Sequence, residues 1–388
     1  MPRADWRRVK FGDVVRLSKD RSQDPLTDGF ERYVGLEHLE PGDLRIRTWG
    51  NVADGVTFTS VFKPGQVLFG KRRAYQRKVA AADFSGVCSG DIYVLESQDA
   101  NVLMPELLPF VCQTDAFFDH AVGTSAGSLS PRTNWSSLAD FEFVLPPVDE
   151  QQLILGLLTA HQECVDSYRA LTDCMALLLL SRTQEMFNTG NKNSSKLHRI
   201  GDVAKVQYGL TVNASRRTSD RHLPYLRVAN IQRFCVDLSE VKEIGVENKD
   251  ENCVLRQDDI LVVEGHADIN ELGRGAIWEK QIPVCYHQNH LIRIRCHEDT
   301  VPYYVLEYVN SPAGRAYFRQ QGKSTSGLNT LNSKVVREMP IPIPDRDEQE
   351  SIATELREGR VALEAARSRL QRALTIAKIA NEQALGGG

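Results

Sequence analysis

Pro146-Pro147-Val148-Asp149-Glu150-Gln151-Gln152 opens one long amphipathic run, and Pro344-Asp345-Arg346-Asp347-Glu348-Gln349-Glu350 opens another. After the first, Ile154, Leu157, His161, Cys164, Tyr168, Leu171, Met175 and Leu178 alternate steps of three and four, the spacing of one helical seam. After the second, Ile352, Leu356, Gly359, Leu363, Ala366, Leu370, Ala373, Ala377 and Ala380 keep the same beat with smaller residues, which admit a close partner helix. Prolines end the preceding strand in both copies. Asp149 with Gln152, and Asp347 with Glu350, have the N-cap and N3 spacing that satisfies orphan amides. About 40 residues at 1.5 Å each make a rod of about 60 Å. A single such helix suits a hairpin packed on one domain; its repetition after each half of the chain predicts an antiparallel two-helix spacer.

A chain of 388 residues allows two to three domains with ample core. Its formal net charge of -4 excludes a globally basic nucleic-acid binder, so any DNA or RNA surface is local. The 8 cysteines form no CxxC pair, and Cys164 and Cys174 lie in the first long run, which fits a reducing cytoplasm. Met1-Pro2-Arg3-Ala4-Asp5-Trp6-Arg7-Arg8 lacks the apolar core of a secretory signal, and the uncharged run Met175 to Leu180 is too short to span a membrane.

Working outward, each half begins alike: Phe11-Gly12-Asp13-Val14 is echoed by Ile200-Gly201-Asp202-Val203, and Tyr33-Val34-Gly35-Leu36 by Tyr225-Leu226-Arg227-Val228. Gln66-Val67-Leu68-Phe69 and Asp259-Ile260-Leu261-Val262-Val263 read as buried strands after turn residues. Val87 to Leu95 and Val284 to Ile294 read as the next strands, followed by short amphipathic helices over 105–120 and 302–320. Polar loops then begin at Gly123-Thr124-Ser125 and Gly322-Lys323-Ser324-Thr325. Asn188 to Ser195 is polar and glycine-bearing, as a linker is.

Gly70-Lys71-Arg72-Arg73-Ala74-Tyr75-Gln76-Arg77-Lys78 is the densest basic run, with Lys63 upstream and no acid between Asp54 and Asp83. Such a run is often a solvated face. In a chain of negative net charge, with a glycine at its start and a strand before it, it points to phosphate, and Tyr75 and Gln76 add a stacking ring and a base-reading amide. In the second copy Arg216 and Arg217, beside the turn at Tyr208-Gly209, are the candidate contacts. The position matching the basic run holds Glu264-Gly265-His266-Ala267-Asp268, whose groups suit cytosine or adenine. Thr124, Ser125, Lys323, Ser324 and Thr325 offer hydroxyls, amides and one cation for a backbone approach.

Cys285, His287, His290, Cys296 and His297 have zinc-ligand chemistry, yet the first copy keeps only Cys88 of that set, so no metal is expected. No P-loop, Gly-x-Gly nucleoside loop or amino-methyltransferase Asn-Pro-Pro-Tyr appears. Asp237 with Glu247-Asn248-Lys249 lacks a twin, and His161 sits on the seam, so no catalytic residue is assigned.

Leu68-Phe69-Gly70-Lys71 with Tyr75 and Arg77-Lys78, the Gly-Thr-Ser loop at Gly123, and Leu145-Pro146-Pro147 leading to Glu150-Gln151 and Ile154, the last two features repeated, resemble the DNA specificity subunit of type I restriction-modification systems. The resemblance covers essentially the whole chain and departs at Arg73-Ala74, where many relatives place a proline before the tyrosine. It implies an α/β fold: two tandem target-recognition domains of mixed α/β type, separated by two long helices that form an antiparallel coiled coil, as a pseudo-twofold repeat. The expected bounds are 1–147 for the first domain, 148–188 for the first helix, 189–195 for the linker, 196–344 for the second domain and 345–385 for the second helix. Each domain would read half of a bipartite asymmetric site in double-stranded DNA, with the coiled coil setting the gap. Two methyltransferase (modification) subunits would dock and bring S-adenosylmethionine, and restriction/translocase subunits would join, in a prokaryotic cytoplasm. The chain itself would hold no cofactor and be no enzyme. Alternatives are a specificity chain whose partner fuses nuclease and methyltransferase, and a coiled-coil assembly protein that reads no bases.

Overall fold

The computed structural model describes residues 5–187, 196–325 and 327–386, so the expected linker at 189–195 lies outside the described residues. The chain forms two units, Met1–Ala170 with Arg367–Gly388 and Leu171–Ala366. Each unit therefore contains part of both long helices, Val148–Met186 and Arg346–Leu385.

The units repeat one topology. In the first, a four-stranded antiparallel sheet runs in the order Val15–Leu17, Ile92–Ser97, Val67–Gly70, Val79–Ala81; in the second the order is Ala204–Tyr208, Leu291–Cys296, Asp259–Val263, Gly275–Trp278. A further sheet in each carries one parallel pairing, Val34 with Cys88 and Leu226 with His287. The expected strands over 87–95 and 284–294 are each two strands, broken at Ser89-Gly90-Asp91 and Gln288-Asn289-His290. The breaks fall at matching places because the first half of each run pairs into one sheet and the second half into another.

Local chemistry also splits the expected amphipathic helices. Thr114 Oγ1 accepts from the Phe117 amide at 3.3 Å and starts Asp115–Gly123 afresh. Ser311 Oγ accepts from Gly314 N at 3.1 Å, with Pro312 at the first turn of Pro312–Gln321. The helices pack on the antiparallel sheets. Phe11 and Phe117 lie 5.0 Å apart by ring centroids in the first core, and Tyr304, Val309 and Phe318 are buried in the second. Each such ring is worth about 1.5–3 kcal/mol of burial.

Within each unit the two long-helix segments run antiparallel. In the first, Leu158 shares a core with Leu385, while further along Val165 faces Gln371 and Leu374 across a cavity. In the second, Leu179 lies against Gly359 and Arg182 pairs with Glu355 at 2.8 Å. On the second helix Ile352, Leu356 and Leu363 are buried, and Leu370 and Ala377 half-buried.

On the first helix the seam expected from sequence is corrected. Leu157, Leu171 and Leu178 are 51%, 44% and 61% exposed, and Ile154, His161, Tyr168 and Met175 form a half-buried flank. The buried positions are Gln151, Leu158, Val165 and Thr172, one heptad apart. The cap is corrected too: Asp345 Oδ1, not Asp347, accepts from Glu348 N at 2.9 Å, and in the first copy the Pro147 carbonyl accepts from Glu150 N and Gln151 N. No helix among the described residues is long and apolar enough to cross a membrane.

Candidate nucleic-acid interface

Three segments of the first unit meet beside the buried strand Val67–Gly70. They are the hairpin loop over 71–78, the strand break at Asp91, and the polar loop over 124–133. Lys71 N donates to the Asp91 carbonyl at 3.0 Å, Thr133 N donates to the Lys71 carbonyl at 3.0 Å, and Arg72 forms an isolated bridge with Arg132. The hairpin turns through Arg73 and Arg77, both left-handed at φ 54° and 56°, on either side of the 3-10 turn Ala74–Gln76. Left-handed arginines cost energy that neighbours must offset. Arg73 N is held by the Pro131 carbonyl at 2.7 Å. The Arg77 guanidinium donates to the Gln113 carbonyl at 3.0 Å, pairs with Asp115 at 2.6 Å and lies 4.4 Å over the Phe118 ring.

Asp91 is the electrostatic centre of this junction. Its carboxylate accepts from Arg132 Nε at 2.8 Å and from Arg72 Nη1 at 3.2 Å. Burial pushes the carboxyl up, and bonds from Arg132 and Arg72 more than offset it, leaving it below the usual range. Lys71 stacks 4.6 Å over the Tyr93 ring, and burial lowers its ammonium pKa. Tyr75 is exposed, and among the described residues neither its hydroxyl nor the Gln76 amide has a side-chain bond.

The second unit builds the same junction with different side chains. Glu264 N donates to the His290 carbonyl at 3.0 Å, Leu331 N donates to the Glu264 carbonyl at 2.8 Å, and Gly265 pairs with Thr330. By backbone bonding, Glu264 stands where Lys71 stands, His290 where Asp91 does, and Gly265 and Thr330 where Arg72 and Arg132 do. His290 Nδ1 and Glu264 Oε2 are 2.7 Å apart, so the imidazole N–H donates to the carboxylate. Asn329 Nδ2 donates to the His266 and Ala267 carbonyls, and His266 Nδ1 accepts from Asp268 N at 3.0 Å. Lys323 and Ser324 are exposed on the short strand Lys323–Thr325.

Several residues proposed from sequence are corrected. Arg216 is a half-buried structural group, its guanidinium bonded to both Asp250 oxygens at 2.6 and 2.9 Å; Arg217 beside it is exposed. Lys78 Nζ donates to the Leu36 carbonyl at 2.7 Å, and Arg77 is spent on the contacts above. Thr124 and Ser125 donate to the His120 and Ala121 carbonyls and so finish the helix Asp115–Gly123. Tyr208 Oη accepts from Ser333 N at 2.9 Å, and Lys63 pairs with Asp20 at 2.6 Å outside the junction. The junctions bring together Lys71, Arg72, Arg73, Tyr75 and Gln76 in one unit, and His266, Lys323 and Ser324 in the other. Sequence reasoning did not place Asp91, Arg132 or His290 at an interface; the signal for Asp91 and His290 was their matched position before Ile92 and Leu291.

The residues of the zinc pattern separate. His287 is fully buried and its pKa is depressed to about 3 by burial and then by Arg293, Cys285 is buried with its thiol pushed up to about 12, and His290 is exposed on Glu264. Among the described residues no group of three or more His, Cys, Asp or Glu is placed to hold a metal ion.

Residues 193–363 match the family described as the type I restriction modification DNA specificity domain. The type I restriction enzyme EcoDI specificity subunit of Escherichia coli is 29% identical over 161 residues, 39% of this chain and 33% of that protein. The StySPI specificity subunit of Salmonella potsdam is 23% identical over 356 residues, 83% of this chain and 76% of that protein. The match thus spans about a third of the first relative's length and about three quarters of the second's. In fold, the chain is similar to the crystal structure of a type I restriction-modification system S subunit from M. genitalium. The TM-score is 0.60 at 13% identity, covering 98% of this chain and 96% of that one.

Proposed function

We propose that the chain, whose residues 193–363 match the type I restriction modification DNA specificity domain, is the sequence-reading subunit of such a complex. The observation that carries the reading is the junction built twice: one backbone scheme holds Lys71, Arg72, Asp91 and Arg132 in one unit and Glu264, Gly265, His290 and Thr330 in the other. Backbone repetition fixes how each unit meets a duplex, and unlike side chains give each a different preference, so the target is bipartite and asymmetric. Tyr75, Gln76 and Arg73 in the first unit, and His266, Lys323 and Ser324 in the second, flank the readers.

In this reading the chain is non-catalytic and binds double-stranded DNA in the cytoplasm of a prokaryote. Methyl transfer belongs to two modification subunits that carry S-adenosylmethionine, and cleavage to restriction/translocase subunits. The test is methylated-base sequencing of cells that make the modification subunit, with and without this chain. A bipartite, asymmetric methylated motif that appears only with the chain is the expected result. An unchanged methylation map, or a contiguous motif, overturns the reading. An assembly protein that reads no bases differs in salt response: affinity for DNA through several phosphates falls steeply with log salt.

A further inference from the structure

The two junctions share a backbone and invert its polarity. Around Asp91 the side chains are donors: Arg132 and Arg72 converge on the carboxylate, and Ser130 Oγ accepts from Arg72 at 3.2 Å and from Arg73 at 3.4 Å. The Arg132 and Arg72 side chains remain 50% and 37% exposed; the Arg72 Nε is buried, so the N–H groups left to Arg72 are the second hydrogens of Nη1 and Nη2, beside Asp91 and Ser130. Around Glu264 the set is an acceptor. Oε2 takes the His290 N–H, Oε1 has no partner among the described residues, and Gly265 and Thr330 bring no cation to replace the two arginines.

Base edges in the major groove differ in the same way. Guanine shows two adjacent acceptors, N7 and O6; cytosine shows a lone N4 amine; adenine shows an amine beside the N7 acceptor. Two guanidinium groups suit guanine, and thymine and cytosine give them one acceptor or none. A carboxylate suits cytosine, because at adenine its lone pairs also face those of N7.

Resting on the DNA-reading role above, we propose that Arg72 and Arg132 read a guanine in one half-site and Glu264 reads a cytosine in the other. Arg72 and Arg132 donate to guanine N7 and O6, and Asp91 is the positioning residue that splays them. Glu264 accepts from cytosine N4, and His290 is its positioning residue, holding one carboxylate oxygen so that the other faces the base. Lys71 does not read, since its ammonium is stacked on Tyr93.

The experiment selects duplexes from a randomised pool with the full chain assembled with its modification subunits, then titrates the winning sequence. Replacing the guanine of one block by 7-deazaguanine removes N7 and changes no protein residue. It weakens binding by about 5- to 100-fold for the wild type and adds no loss in Arg132→Ala. Glu264→Gln, which turns an acceptor into an adenine-reading amide, moves the preference in the other block from cytosine to adenine and leaves the guanine block intact. Unchanged binding to 7-deazaguanine duplexes, or a Glu264→Gln effect on the block that Arg132→Ala alters, overturns the base assignment alone. A pool that yields no enriched block overturns the DNA-reading role itself.

Discussion

The backbone amide of Met104 donates to Gln151 Oε1 at 2.9 Å, tying the globular part of the first unit to its long helix. Gln151 Nε2 completes the clasp by donating to the Val102 and Pro146 carbonyls at 2.8 and 2.9 Å. The second unit repeats it: Val301 N donates to Gln349 Oε1 at 2.9 Å, and Gln349 Nε2 donates to the Asp299 and Pro344 carbonyls at 3.4 and 3.0 Å. Both glutamines are buried, at 0% and 1% exposure. The clasp fixes the rotation of each helix, and in the first helix it explains why every seventh residue from Gln151 is the one that goes inside.

Gln151→Leu keeps the volume and strands an amide and two carbonyls away from water. Each such group costs about 1–3 kcal/mol, partly relieved by local relaxation, so the loss in unfolding free energy is about 2–3 kcal/mol in urea titration. Gln349→Leu costs as much. A loss below about 0.5 kcal/mol in both would mean that neither glutamine positions its helix.

The clasp also marks the limit of what was legible in the sequence. Two proline-headed heptad runs show two long helices and a repeat, because period and punctuation are local. The face each helix buries is not local: Leu153, Leu157, Leu171, Leu177, Leu178 and Leu180 put apolar groups on several sides of the first helix, and a polar residue, Gln151, decides among them. The basic run 71–78 shows that charge gathers there. It does not show that Arg77 and Lys78 turn inward, since their partners Gln113, Asp115 and Leu36 are remote in sequence. The sequence places Glu264 to Asp268 against the basic run, and backbone bonds add the register, Glu264 on Lys71.

Gln76 and Tyr75 sit on the turn between two left-handed arginines with side chains uncommitted among the described residues. Gln76→Ala and Tyr75→Ala therefore leave thermal stability within about 0.5 kcal/mol. In fluorescence titrations each weakens binding to the preferred duplex by about 1–3 kcal/mol, through one half-site. Equal loss on unrelated duplexes would identify phosphate contacts instead.

Arg216, half-buried, pairs with the buried Asp250 in the second unit, and their effect is on stability, not on DNA. Arg216→Ala leaves the buried Asp250 carboxylate without its cation, with only the Glu247 amide on Oδ2, at a cost of about 3 kcal/mol. The bond from Arg216 holds the Asp250 carboxyl below its ordinary 3.8. A depressed carboxyl contributes fully above its unfolded value and loses that contribution as pH falls through the folded one. The gap in unfolding free energy between wild type and Asp250→Asn is therefore constant above about pH 5 and narrows below about pH 4. A gap that widens on acidification would contradict the pairing.

Gly359 tests the packing of the helix segments in the second unit, where two effects oppose. A methyl group there meets Leu179 Cδ1 at 3.1 Å, a contact too close by a few tenths of an ångström, but with the movable end of a side chain. Against it stands the helix-propensity gain of alanine over glycine, about 1 kcal/mol. Since a small shift of Leu179 relieves the contact, Gly359→Ala raises stability by about 0.5 kcal/mol. Gly359→Leu adds three further carbons where no such shift suffices, and overpacking of that kind costs about 1–3 kcal/mol. Opposite signs for the two variants in chemical denaturation are the expected result; stabilisation by both would show that nothing packs on Gly359.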